Sequence, residues 1–484
     1  MPPSNQERSS SQPPPTASPL TALSSLRATP CGAALREDDA TRLIPDPKAL
    51  QLPPRPKSVY ELPAPLDFLT PSKFRGDFPR NAEANRIKNF PPEQIEKDAL
   101  STRVILHPRM PLLLGIFLEH KHAHGSQYEK RLYQNMNWHQ LATRMISKRP
   151  LCFLQSCDFT RLRDNRLIGA AYEEWDRVGT PAQHLNTHLF LDDYLSYEEI
   201  MLSSLLGASA PTYFINSGNR FNAAQPAHGG VAHEPRGVVV GLVGPRFDRD
   251  AQHDTPLIFK PLPPGEVLGG SMDPSVCRIV QQWLLPGVDP AARPPAARYL
   301  PGGIDPLMYK ARLRVSFELL LLEAEARAKA VGRDAVVHVV GLGLGVWRKL
   351  DVQTELYIEA FAECLREMDL GYVAAVEFGW IENVSEEAKT RVKEAGAVNT
   401  IDVRFTKKDP CRKLTGDDEG RLLVVSWAWD GNSYVGNEYW NGHLSSSGDP
   451  AAVCFSTIGE IMNPDINPFA DRVIVLGVGN GEES

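Results

Sequence analysis

A chain of 484 residues with 42% apolar and 23% charged side chains holds enough apolar material for a large core, and its length fits one large domain with a sizeable insertion, or two domains. The formal net charge of -7, with an isoelectric point near 6.0, argues against a nucleic-acid platform, because binding phosphates needs a basic excess on at least one face. The seven cysteines are scattered and form no CxxC pair, no apolar run approaches the roughly 18 residues that span a bilayer, and no charged leader followed by an apolar stretch opens the sequence, so the expectation is a reducing cytoplasm or nucleus with no membrane partner.

Residues 1–58 are rich in Pro, Ser and Thr and poor in large apolar side chains, which reads as a disordered arm. From 59 to 191 the pattern becomes globular and mostly helical. The apolar spacing of "EKRLYQNMNWHQLATRMI" predicts a helix over 129–146, and "YLSYEEIMLSSLLGAS" predicts another over 194–209, stopped by Gly207 and Pro211. Strand and helix signals then alternate. Strands are expected at 237–244, 335–342, 371–378, 398–405 and 421–429, and helices at 305–332, ended by Gly332, at 352–368, with Asp351 as N-cap, and at 385–396. The strand runs are continuously apolar, as expected of strands covered on both faces, and the fold class that follows is α/β, a three-layer sandwich. The Pro- and Gly-rich stretch 261–303 reads as a connector, and no internal repeat is present.

In open α/β sheets ligands collect beyond the carboxyl ends of the strands. Two stretches sit there. "GLGLGVW" (341–347) places Gly343 and Gly345 where bare amides could approach a phosphate, although tight turning under a helix explains the glycines equally well. It lacks the GxGxxG spacing, so a dinucleotide-binding unit with Glu377 as ribose ligand is a poor fit. The second stretch, "SWAWDGNSYVGNEYWNGHLSSSGDPAA" (426–452), sets Asp430 and Glu438 among Asn432, Asn437, Trp429 and Trp440, a density of carboxylates, amides and aromatics suited to sugar hydroxyls. A solvated hairpin using Asp-Gly and Asn as turn formers is the plainer reading. Further on, Asp449 and Pro450 read as the N-cap and first residue of a helix over 450–462. That places Ser447 and Gly448 at a helix N-terminus suited to a diphosphate. A third cluster, "TYFINSGNRFN" (212–222), offers Asn216, Asn219 and Phe221 to a nucleotide base, unless the asparagines satisfy their own backbone. The histidines of "HKHAH" (120–124) follow one another at a spacing of two and no HExxH motif is present, so they read as a solvated basic turn and no metal or cofactor is expected. No GxSxG elbow, Walker loop or kinase set is present.

The strings "VVHVVGLGLGVW", "EEIMLSSLLGASAPTYFINSGNRFN" and "WDGNSYVGNEYW…SGDPAA" resemble the MavL-type macrodomains, a divergent branch of the macrodomain superfamily whose members remove ADP-ribose from arginine side chains. The likeness covers most of the chain after about residue 60. It implies a macrodomain-like three-layer α/β/α catalytic domain over 192–478, with the helical lobe 59–191 packed on or inserted into it. It also implies an ADP-ribose cleft at the carboxyl edge of the sheet. Asp430 and Glu438, with Asp449 third, become the candidate catalytic carboxylates. Gly343, Gly345, Asn216, Asn219, Phe221, Asn432, Asn437, Trp440, Ser447 and Gly448 become candidate substrate contacts. The partner would be an ADP-ribosylated protein, with ubiquitin as one candidate. A module that binds ADP-ribose without cutting it, a nicotinamide-dependent oxidoreductase and an interaction scaffold are the rival readings.

Overall fold

The computed structural model describes residues 80–154, 159–169, 172–219, 221–227, 232–263, 272–288, 293–434, 436, 439–440 and 459–477; the expected arm 1–58 lies outside them. Strands are numbered along the chain. β1 (Arg103–Leu106) is followed by a small antiparallel sheet of β2 (Cys152–Leu154), β3 (Phe159–Arg161) and β4 (Leu167–Gly169). Then come β5 (Gly207–Tyr213), β6 (Arg236–Leu242), β7 (Ala335–Val339), β8 (Val373–Gly379), β9 (Asp402–Thr406), β10 (Leu422–Ala428) and β11 (Val473–Val475). The longer helices are α1 (Pro92–Ser101), α2 (Met110–His124), α3 (Gln127–Tyr133), α4 (Trp138–Ser147), α5 (Tyr197–Ser203), α6 (Pro274–Leu284), α7 (Pro306–Val331), α8 (Val352–Glu367) and α9 (Glu386–Val398).

The central sheet is eight-stranded and mixed, in the order β11-β1-β5-β6-β10-β7-β8-β9. β6, β10, β7, β8 and β9 run parallel, β5 is antiparallel to both of its neighbours, and β1 pairs in parallel with β11. The segment 59–191 therefore supplies a strand to this sheet. One face packs on α7 and α8 through a relay of rings from Phe317 to Phe361, Phe378 and Phe405, and on α9, whose Lys389 lies 5.8 Å from the Phe405 ring. On the other face Trp427 lies against Gly241, where an added Cβ would stand 2.7 Å from the indole, and the His338 ring lies over Gly379. Segments 214–219 and 409–411 pair with each other: Cys411 N donates to Ser217 O at 2.8 Å.

The expected elements of the parallel block are present, with boundaries shifted by a few residues. α9 runs through Val398, so β9 starts only at Asp402. Elsewhere the structure corrects the expectations. The helix over 194–209 ends at Ser203, and residues from Gly207 form β5, because a Gly-Ala-Ser-Ala run fits between two strands. A Cβ on Gly207 would lie 2.7 Å from Ile105 and 2.9 Å from Leu242. The helix over 129–146 is two helices, α4 restarting where Asn137 accepts from Gln140 N and Gln140 accepts from Asn137 N, a reciprocal cap. The connector 261–303 contains α6, started by Asp273 and Pro274. "HKHAH" is the end of α2 and not a loose turn; His120 meets Asp273 at 2.9 Å and His122 meets Tyr133 O at 2.7 Å. Asp351 makes no side-chain cap: the amides of Gln353 and Thr354 bond Leu350 O and Asp351 O at 3.2 Å, while the Gln353 side chain takes the amides of Lys349 and Leu350 ahead of the helix. Of the helix expected over 450–462, residues 459–462 are turns and the rest lies outside the described residues.

Candidate active site

The loops that leave β6, β7 and β10 converge at the carboxyl edge of the parallel block. Gly244, just beyond β6, lies so close to the loop after β7 that an added Cβ would stand 2.3 Å from Gly343 N and 2.4 Å from Leu342 C. Gly343 has φ +76° and lies under Pro245, so the chain itself requires glycine there. No described residue lies within 4 Å of the Cβ direction of Gly345. Arg246 follows at once. It clamps Asp248 through three contacts of 2.9–3.1 Å, stacks 5.0 Å over the Trp347 ring and donates to Asp430 O at 3.2 Å, joining all three loops. Behind them the fully buried Arg312 of α7 bonds Asp254 at 2.8 Å, Ser204 O at 2.9 Å and Val243 O at 3.3 Å. Ser204 and Val243 are the residues against which Gly431, with φ +75°, is packed.

The 429–434 turn is folded by Asp430. Its Oδ1 accepts from Asn432 N at 3.2 Å and Ser433 N at 3.3 Å, and the Ser433 hydroxyl reaches both carboxylate oxygens. Asp430 is hemmed in by protein yet retains part of its surface in solvent, as expected of a carboxylate lining a cleft. Burial raises its pKa above the ordinary carboxylate value, against the opposing pull of Arg246 and the Ser433 bond. Asp248 is also penalised by burial, but Arg246 and His253 outweigh that and hold its pKa low.

Asn432, next in the turn, is fully buried, and neither atom of its amide has a hydrogen-bond partner among the described residues. A buried amide normally makes such bonds, and one without them points toward a ligand. Trp429 and Trp440 are both buried, and Trp429 donates to Ser433 O at 3.1 Å. The asparagines of the third cluster are used within the fold: Asn216 bonds Gln225 O and Gly218 N, while Asn219 bonds Asp409 and Phe221 N. Phe221 is exposed. β5 runs antiparallel, so this loop starts at the opposite edge of the sheet from Asp430. Asn437, Glu438, Ser447, Gly448 and Asp449 lie outside the described residues. Sequence reasoning missed Arg246, Asp248, Ser433 and Arg149. Of these, the Pro245-Arg246 pair directly after a strand is the one local signal that could have been read.

The fold is α/β, and the Asp430 turn stands at the carboxyl edge of its parallel strands, where ligands of such sheets collect. A family description, ADP-ribosylhydrolase MavL-like, matches residues 69–258 and 299–473, a span that includes the whole Asp430 turn. One ADP-ribosylarginine hydrolase of Drosophila melanogaster is 33% identical over 416 residues, covering 79% of each chain, and a second is 31% identical over 426 residues, covering 82% of this chain and 83% of that one. The chain belongs to the MavL-like ADP-ribosylhydrolase family.

Proposed function

We propose that the protein hydrolyses the N-glycosidic bond joining ADP-ribose to an arginine side chain of a modified protein. The observation that carries this reading is the Asp430 turn: a part-exposed carboxylate beside a buried Asn432 amide that no described residue satisfies. The names of the two fly relatives support the arginine linkage. The parallel block with α7, α8 and α9 on one face supports a macrodomain-like three-layer architecture.

As the bond from the ribose anomeric carbon to the guanidine nitrogen breaks, positive charge builds on the sugar. A fixed carboxylate beside it stabilises that state electrostatically. Water adds its oxygen to the anomeric carbon, one of its protons passes to a carboxylate acting as base, and the nitrogen leaves as part of a free guanidine; general-base assistance of this kind is worth about 10² to 10⁴-fold. Asp430 fills one of these roles, with Glu438 and Asp449 as its partner carboxylates. Asn432 holds ribose hydroxyls. Incubation with arginine-, serine- and glutamate-linked ADP-ribosylated proteins tests the assignment: the arginine-linked label should be released. Release of only another linkage overturns it, and tight ADP-ribose binding without any release makes the protein a reader.

A further inference from the structure

We propose that Arg149 is a positioning residue for this reaction, holding the Asp430 turn in its reactive shape from behind and adding a second positive charge beside the carboxylate. The inference rests on Asp430 being a reacting carboxylate. Arg149 lies just past the end of α4, in the helical segment, and is fully buried. Its guanidinium stacks 4.0 Å over the ring of Trp429, the residue before Asp430. Nη1 donates to Ser433 O at 3.4 Å and Nε to Met145 O at 2.5 Å. The same stretch of chain grips the turn twice more: Tyr434 N donates to Pro150 O at 2.8 Å and the Tyr434 hydroxyl to Ser147 O at 3.2 Å.

What sets Arg149 apart is what it lacks. The buried guanidiniums of Arg144, Arg312 and Arg314 each meet a carboxylate, of Glu199, Asp254 and Glu318. No carboxylate of the described residues pairs with Arg149, and its Nη2 has no hydrogen-bond partner among them. Burial pushes the guanidinium down to about 9, the nearby charge of Asp430 being the first group to oppose that. It is still a cation at neutral pH. A buried cation that no carboxylate of the described residues contacts directly works against folding, so stability does not account for this residue. Among the described residues, the charged and titratable groups that act on Asp430 or on Arg149 are Arg246, with its partner Asp248 from the loop after β6, and Tyr434 from the turn itself. Arg246 acts most strongly on Asp430, and the charges of Arg149 and Asp430 attract each other.

Full-length Arg149→Met and Arg149→Lys, assayed on an arginine-linked substrate, test the proposal. The Met variant should keep or raise the melting temperature, lower kcat by about tenfold or more, and move the acid limb of kcat to higher pH by a few tenths of a unit, with the Kd for ADP-ribose within about threefold. The Lys variant, which keeps the charge, should restore the limb and part of kcat. A Met variant with unchanged kcat and limb overturns the proposal. So does one that cannot fold, which would make the role structural, or one that loses ADP-ribose affinity with the limb in place, which would make Arg149 a ligand contact. Wild-type protein that releases no ADP-ribose from the arginine-linked substrate ends the functional reading itself, a separate outcome.

Discussion

The Ser433 hydroxyl lies 2.9 Å from Oδ1 and 3.0 Å from Oδ2 of Asp430, and so fixes the carboxylate against rotation. Asp430→Asn keeps an acceptor for the two turn amides while removing the negative charge. ADP-ribose release should therefore fall by about 10² to 10⁴-fold, with little change in melting temperature or in ADP-ribose affinity measured by calorimetry. Undiminished turnover would leave Asp430 as a turn former only.

The pH dependence of turnover follows from the same residue. The working form is the carboxylate, and burial raises the Asp430 pKa above its ordinary value of 3.8. Activity should accordingly be lost on the acid side before the ordinary carboxylate range is reached. Ser433→Ala removes a bond that lowers this pKa, so its kcat profile should break at a higher pH than the wild type's. A wild-type profile flat down to pH 4 contradicts this account.

Asn432 gives a test that separates binding from stability. Its buried amide makes no hydrogen bond to described residues, so Asn432→Leu, of similar volume, should leave thermal stability unchanged or slightly improved. ADP-ribose affinity should drop about tenfold or more, because a hydrogen-bonded sugar contact is replaced by hydrocarbon. A large loss of stability with affinity intact would show that the amide serves the fold.

Arg312 tests the support behind the site. Arg312→Met leaves the buried carboxylate of Asp254 without its 2.8 Å partner and frees the backbone of Ser204 and Val243. Breaking such a pair typically costs about 3–5 kcal/mol, to be read from urea unfolding. A loss below about 1 kcal/mol would mean that the loops hold their shape unaided.

His338 makes stability sensitive to acid. Burial lowers its pKa from 6.5 to about 4, Glu377 and Asp409 pulling upward and Arg412 downward. Between those values the unfolded chain binds a proton that the folded chain does not. Stability is thus fully present above about pH 6.5 and lost as pH falls toward about 4, by up to about 3 kcal/mol. His338→Gln should flatten the slope of unfolding free energy against pH in that window by about one proton. Equal slopes in the two proteins would refute the assignment.

The parallel block is legible from sequence because "GVVVGLVG", "AVVHVVGL" and "RLLVVSWAW" are nearly continuous apolar runs, broken only by His338, Arg421 and Ser426, as expected of strands covered on both faces. β1 and β11 are not, since strands of four and three residues carry no measurable period. β5 is hidden by a Gly-Ala-Ser-Ala-Pro run of poor strand formers, and its place is set by the space left between Ile105 and Leu242. For the site, Asp430 and Asn432 stand out because aromatic, amide and acid residues cluster locally around a strand end. Arg149 sends no local signal; its contact with Ser433 spans 284 positions, and only the tertiary fold brings the two together. Asp351 shows the limit of pattern alone: it stands at the cap position, yet the first helix amides, of Gln353 and Thr354, go to the backbone carbonyls of Leu350 and Asp351 and not to its side chain.

Val104 of β1 lies beside Val473 of β11, 369 positions later in the chain (473 − 104). A ribosome must therefore deliver nearly the entire catalytic region before the outer margin of the sheet can close. Until then β1 presents bare amides and carbonyls along one side, an invitation to pair with any neighbouring extended chain. So distant a closure adds loop entropy to the folding barrier and slows the completion of the sheet.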